Sequence, residues 1–399
     1  MGSLSDEREL PATLAVRAAP PDSDMCPPER MGKGATGLLV EPWEMIDQAG
    51  KPPHERAATA KERGRRLDPE TCPVLGLDKS VTKFEEFEIC YMFLLWSLAC
   101  CTPIFMLLLP FLPLSPSAMI FIVCVVGVTV VYPNGDWPLP PENRWTMPLR
   151  NQKLGRGFMR YFPMRCIVED DAVLDSPRPV IFGGVPHGMF PIGMLILALC
   201  NFALPFRWSR GAAASILFRL PIWRQVLRWN GGIDVSKAAI TSALANGDNV
   251  IIAMDGIAGM FAADRGLREG KEVFLLTPRK GLCRVALQTG APLVPFVCFG
   301  NTKACKPFTD PCGFMAALSR LLRVSLIWPS GRWGLPVPHR TPVTIVLGSP
   351  LIAPSTEPIA EPTDAQVDLL HDQLLKQVEG IYYRWRRAAG YGGVELVVA

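Results

Sequence analysis

Apolar and polar residues fall into three successive textures along the chain. Over the first eighty positions Pro, Gly, Ala, Glu and Arg crowd together, as in Ala19-Pro-Pro-Asp-Ser-Asp24 and Lys51-Pro-Pro-His-Glu-Arg56. Such a stretch holds too little apolar surface to offset the entropy of ordering it, so residues 1–80 are expected to form a disordered tail. A run without one charged residue follows from Ile89 to Gly135. Between Cys90 and Val131 it reads as two apolar arms around Pro110-Phe-Leu-Pro-Leu-Ser-Pro116, each approaching the length of a spanning helix. The prolines between them stop helix propagation. The pattern predicts a helical membrane hairpin over 84–133. Lys79 and Lys83 precede it and Arg144, Arg150 and Lys153 follow, which puts both flanks on the cytosolic side.

From about residue 145 the texture becomes an alternation of short apolar runs and amphipathic stretches. Pro179–Phe182, Asn249–Met254, Pro292–Val297 and Val343–Leu347 read as strands bounded by Gly, Pro and Asp. Ser236–Asn246 and Pro278–Thr289 read as helices, with Gly247 and Gly290 placed to end them. Thr277 fits a helix N-cap and Pro278 the first helical position. A last helix begins at Thr363, which with Gln366 forms a capping-box pair, and buries Val367, Leu370, Leu374, Val378, Ile381 and Trp385 at a 3.6-residue period. The alternation predicts an α/β domain over 145–399, a largely parallel sheet with flanking helices. Gly188–Phe206 carries no charge and is expected to be partly buried in the bilayer, with a buried first helix of the domain as the other reading.

Composition sharpens this picture in two ways. A net charge of +4 over 399 residues gives no electrostatic footprint for nucleic acid, and no nucleic-acid partner is expected. The basic cluster Arg63, Arg65 and Arg66 reads first as a solvated face and second as a contact for anionic lipid. The N-terminus lacks the apolar core of a cleavable signal, so the 12 cysteines read as reduced thiols. Cys298, Cys305 and Cys312 recur every seventh residue, without the paired spacing of a zinc site. No metal ligand set is expected.

Of the four histidines, His187 is set apart by Phe182-Gly-Gly-Val-Pro-His-Gly-Met189, where a strand ends and a helix begins. Open parallel sheets gather their chemistry at the carboxyl ends of strands. A neutral imidazole there serves as a general base near neutral pH; a buried structural histidine is the alternative. No Gly-x-Ser-x-Gly elbow and no P-loop occurs, and no Gly-x-Gly-x-x-Gly opens a βαβ unit. Arg279 and Lys280 fall in the expected first turn after Thr277, where positive charge opposes the helix dipole unless a phosphate is bound. The acyl-CoA pyrophosphate is one such ligand.

At these residues the sequence resembles the diacylglycerol acyltransferase type 2 family, which includes monoacylglycerol and wax-alcohol acyltransferases. Tyr161-Phe-Pro163 and Pro186-His-Gly188 look like two of its motifs. Asn230–Lys237, Arg279-Lys-Gly281, Phe299-Gly300, Gly331-Arg332, Pro336-Val-Pro338 and Gly348-Ser-Pro350 match further blocks in order. The resemblance implies a glycerolipid acyltransferase-like fold and transfer of a fatty acyl group from acyl-CoA to diacylglycerol or another lipid alcohol. It implies work at the endoplasmic reticulum membrane and on lipid droplets, with acyl-CoA as co-substrate, no metal or other cofactor, and the bilayer as a partner. A homo-oligomer is an open expectation. Carried over, His187 is the general base, with Pro186, Gly188, Arg279, Lys280 and Arg332 as substrate-binding residues.

Two blocks depart from the family pattern. Val185 stands where the family usually has the first His of its signature. In Met254-Asp-Gly-Ile-Ala-Gly259, Gly259 replaces a glutamate and Asp255 a glycine. Asp255 is expected to reach His187 from a neighbouring strand end and restore a His–carboxylate pair. The leading expectation is triacylglycerol synthesis. A catalytically silent lipid-binding scaffold and a monoacylglycerol or wax-alcohol acyltransferase stay open beside it. A lysophospholipid or glycerol-phosphate acyltransferase ranks lower, because Ile192 stands where those enzymes carry Asp.

Overall fold

The computed structural model describes residues 36–41, 45–48, 51–78, 80–100, 115, 117, 120, 153–199, 204–219, 223–307, 317, 329–352 and 356–399. In chain order the strands are β1 (Gly37–Val40), β2 (Arg65–Leu67), β3 (Met164–Val168), β4 (Ile181–Val185), β5 (Ser209–Ala213), β6 (Ile233–Asp234), β7 (Asn249–Ala253), β8 (Lys271–Phe274), β9 (Leu293–Phe299), β10 (Lys306–Pro307), β11 (Pro329–Ser330), β12 (Val343–Leu347) and β13 (Glu395–Val398). The helices of eight residues or more among the described residues are α1 (Pro53–Arg63), α2 (Lys83–Cys100), α3 (Lys153–Tyr161), α4 (Ile192–Leu199), α5 (Lys237–Ala245), α6 (Gly256–Arg268), α7 (Gly281–Thr289) and α8 (Asp364–Trp385).

The main sheet has the order β2-β1-β3-β12-β9-β4-β7-β5-β6. Its run from β9 through β4, β7 and β5 to β6 is parallel, as is β3 with β12. The junction of β9 with β12 is antiparallel, and so are the two pairs made by β1. Side chains alternate between two cores, as the period of two requires. Along β9, Val294, Phe296 and Cys298 join a core with Phe93, Phe158 and Ile192. Leu293, Val297 and Phe299 join the opposite one, with Ile240, Val285 and Trp385. The sheet is thus a buried layer between helices, which suits the apolar runs of its central strands.

The four runs expected as strands lie within or overlap β4, β7, β9 and β12. Ser236 caps α5, Gly290 ends α7 at φ +63°, and Thr363 with Gln366 closes the capping box of α8. The apolar face expected on α8 is buried.

Three expectations are corrected. Disorder over residues 1–80 does not hold for the described residues between 36 and 78: β1 pairs with β3 and buries Leu38, Leu39 and Val40, while Arg56 of α1 donates to the Phe206 carbonyl at 2.7 Å. Tertiary burial supplies what this polar segment lacks by itself. Its basic cluster faces carboxylates, Arg63 on Asp47 at 2.9 Å, Arg65 near Glu41 at 3.8 Å and Arg66 on Asp171. Second, α7 begins at Gly281 rather than Pro278, because Leu276 and Thr277 donate their amides to the Ala399 carbonyl and Arg279 closes a turn on Leu276. Arg279 and Lys280 therefore precede the helix. Third, α4 does not dip into lipid: Ile192, Met194, Ile196, Leu197 and Ala198 are buried in the domain, which explains a helix apolar on all sides.

The first arm of the expected hairpin forms α2, whose inner face packs against α3. Among the described residues no helix is long and apolar enough to cross a membrane. The remainder of the hairpin, through residue 133, lies outside the described residues but for 115, 117 and 120.

Candidate active site

Three neighbouring parallel strands, β9, β4 and β7, deliver their carboxyl ends to one place. β4 runs out into Pro186-His187-Gly188, β7 into Met254-Asp255, and β9 into Gly300-Asn301. The expected histidine and its expected carboxylate are thereby brought together.

His187 is half-buried. Its Nδ1 lies 2.7 Å from the carbonyl oxygen of Gly188. A carbonyl only accepts, so the neutral ring carries its proton on Nδ1 and leaves the lone pair on Nε2. That tautomer can take a proton from an alcohol. The turn that makes this contact needs glycine at 188, where φ is +62° and a Cβ would sit 3.0 Å from the Asn301 main chain.

Asp255 is fully buried and holds the histidine by the backbone rather than by the ring. Its Oδ2 accepts the main-chain N–H of His187 at 2.9 Å, while Oδ1 has no hydrogen-bond partner among the described residues. The expected carboxylate–imidazole pair is thus a carboxylate–amide pair. Burial raises the Asp255 carboxyl above its ordinary range, opposed by the nearby His187 and Arg279. The room for this carboxyl comes from Gly259, one turn into α6: a Cβ there would lie 2.5 Å from both Cγ and Oδ2 of Asp255. A side chain at 259 and the Asp255 carboxyl in this position would therefore collide.

Arg279 approaches the same corner, its Nη1 being 3.1 Å from where a Gly256 Cβ would stand; its Nε is buried without a partner among the described residues. The other basic candidates are engaged elsewhere. Lys280 pairs with Asp368 of α8 at 2.8 Å. Arg332 binds Glu86 of α2, lies 3.4 Å from the Tyr161 hydroxyl and stacks on Trp333. Of the remaining histidines, His371 is buried against the Leu276 carbonyl and His54 and His339 are exposed.

Two residues escaped the sequence reading. Asn301, fully buried, clamps the His187 loop at both ends, donating to the Pro186 carbonyl at 2.9 Å and accepting the Gly193 amide at 3.0 Å. Its place straight after Phe299-Gly300 was the available signal. Glu272 is a second buried carboxylate. It accepts from the Thr302 hydroxyl at 3.2 Å, and burial pushes its carboxyl up to about 7, with Asp255 acting in the same direction and Thr302 and Lys303 against it.

A folded-state pKa raised from 4.5 to about 7 means that the native protein binds more protons than the unfolded chain in that window. The Glu272 contribution is complete below pH 4.5 and is lost as pH rises through about 7, by up to about 1.4 kcal/mol per pH unit. Glu272→Gln removes this dependence. Denaturant titrations should show the variant gaining on the parent as pH rises from 5 to 7.5, and a constant difference would remove Glu272 from the pH response.

The chain is an acyltransferase, as the relatives it matches across most of its α/β domain are. The family profile described as diacylglycerol acyltransferase matches residues 116–398, and the chain belongs to that family. It is 30% identical over 287 residues to diacylglycerol O-acyltransferase 2 of Xenopus tropicalis, covering 66% of this chain and 76% of the relative. The corresponding human protein is 28% identical over 290 residues, covering 66% and 70%. Diacylglycerol O-acyltransferase 1 of Schizosaccharomyces pombe is 26% identical over 294 residues, covering 69% and 80%. Among solved structures, the 1-acyl-sn-glycerophosphate acyltransferase PlsC of Thermotoga maritima aligns with a TM-score of 0.35 and 14% identity, over 65% of this chain and 92% of that one.

Proposed function

We propose that this chain transfers a fatty acyl group from acyl-CoA to the free hydroxyl of diacylglycerol, with the Nε2 atom of His187 as general base. The observation that carries the reading is the Nδ1 contact with the Gly188 carbonyl, which leaves Nε2 unprotonated at a strand end. Nε2 takes the acceptor proton as the hydroxyl oxygen attacks the thioester carbonyl. The new C–O bond forms, the C–S bond breaks, and the imidazolium returns its proton to the departing CoA thiolate. Products are triacylglycerol and free CoA. The scheme uses only acyl-CoA, diacylglycerol and the His187 imidazole.

Asp255 acts on the base indirectly, as a positioning residue that anchors the His187 amide; Asn301 secures the same loop from the other side. Arg279 is the basic residue beside this corner and is the candidate contact for a CoA phosphate. Lys280 and Arg332 would join it only by leaving Asp368 and Glu86. Both substrates are lipidic, which supports a place at the endoplasmic reticulum membrane. The test uses purified full-length protein, labelled oleoyl-CoA and a panel of acceptors. Labelled triacylglycerol and stoichiometric free CoA are expected with dioleoylglycerol; product with a monoacylglycerol or fatty alcohol alone would reassign the acceptor, and no product with any would reject the reading.

A further inference from the structure

Two buried side chains with no part in the chemistry described above grip the turn after β9 from behind. The Tyr391 hydroxyl accepts the amide of Gly300 at 2.9 Å, and Glu272 accepts the hydroxyl of Thr302 at 3.2 Å. Between these two points of attachment stands Asn301. Its main chain lies against Gly188, and its side chain binds both ends of the His187 loop, at Pro186 and Gly193. Gly188 supplies the carbonyl that holds Nδ1 of His187, so the setting of the turn becomes the setting of the base.

Both grips come from one structural unit. Glu272 lies on β8, and Tyr391 just precedes β13, which pairs in parallel with β8 apart from the main sheet. The Tyr391 ring is fixed without its hydroxyl: it meets Phe299 edge-on with centroids 5.4 Å apart, and Lys303 Nζ sits 3.7 Å over its face. Packing alone would be served as well by phenylalanine there. Glu272 is harder still to explain by packing, because a buried carboxyl whose Oε1 has no partner among the described residues lowers stability.

We propose that Tyr391 and Glu272 are positioning residues for acyl transfer, which hold the turn that sets Asn301 and through it the His187 loop. Neither touches a substrate or a reacting atom. Tyr391 acts through the Gly300 amide and Glu272 through the Thr302 hydroxyl, and Asn301 carries both effects to the base. The β8–β13 pair is thus the outer support of the active site. The catalytic part of this inference rests on the proposed function.

Tyr391→Phe keeps the ring and removes the acceptor. In full-length protein shown to be folded by thermal unfolding, it should lower kcat about 10-fold, the scale of one lost hydrogen bond to a buried amide, and leave KM for oleoyl-CoA unchanged. In an Asn301→Ala background the same change should lower kcat no further, while its effect on Tm persists. A merely structural role would give the same fractional loss of kcat in both backgrounds; that result, or full turnover in Tyr391→Phe, would overturn the proposal. Glu272→Gln retains an oxygen for Thr302 and should keep its turnover, whereas Glu272→Leu should lose it as Tyr391→Phe does. Full turnover in Glu272→Leu would remove Glu272 from the support. Hydrogen exchange reads the positioning without activity: Tyr391→Phe should speed exchange over 186–193, where Asn301 binds the Gly193 amide, and leave β12 protected. Faster exchange confined to 300–303 would overturn the proposal. A parent without acyl transfer would reject the function, while exchange over 186–193 still decides whether the turn holds the loop.

Discussion

Replacing His187 with alanine is expected to lower turnover of acyl transfer by about 10²- to 10⁴-fold, the range that general-base action supplies. Stability should change little, because the half-buried ring makes its one hydrogen bond to the Gly188 carbonyl and fills no core position. Rates of CoA release by the purified variant, read beside its thermal unfolding curve, separate the two effects. A folded variant that keeps full turnover would show that the proton leaves by another route.

The second large effect lies at the pair Asp255 and Gly259. Gly259→Ala drives a Cβ into the Asp255 carboxyl and should cost about 1–3 kcal/mol, the usual penalty of overpacking a dense core. It should lower turnover as well, since the displaced carboxyl releases the His187 amide. Asp255→Gly strands that buried amide, at about 1–3 kcal/mol. The two changes should not add: after Asp255→Gly, the side-chain atoms nearest to the methyl at 259 are gone, so the double variant should be little worse than Asp255→Gly alone. Gly259→Glu in the Asp255→Gly background returns a carboxylate from one helical turn further on and should recover part of the lost turnover. Additive penalties, or no recovery, would show that the two positions are independent.

The part of the fold that was legible is the part whose local chemistry agrees with its tertiary role. β4, β7, β9 and β12 are apolar runs closed by Gly, Pro or Asp, and α8 carries both its cap and its buried face in the sequence. The place of His187 just past the end of β4 was legible because glycines and a proline close that strand. β1 and α1 were not, since a four-residue strand and a polar, Ala-containing helix become ordered only against β3 and Phe206. The start of α7 was misplaced because the Ala399 carbonyl, more than a hundred residues away in the chain, claims the amides of Leu276 and Thr277. Glu272 looks exposed within Glu269-Gly-Lys-Glu272 and is buried only by Thr302 and the surrounding core. Asp255 was placed near the histidine correctly, but which atom of His187 it holds is a matter of three-dimensional register that spacing does not encode.

The account stands on Nε2 of His187 facing the alcohol that is to be acylated. A structure of the full-length protein with diacylglycerol and a non-transferable acyl-CoA analogue bound tests this most directly. The acceptor oxygen is expected within about 2.6–3.2 Å of Nε2, with Nδ1 still on the Gly188 carbonyl. An acceptor hydroxyl bound to another side chain, with the imidazole turned away from both substrates, would contradict it.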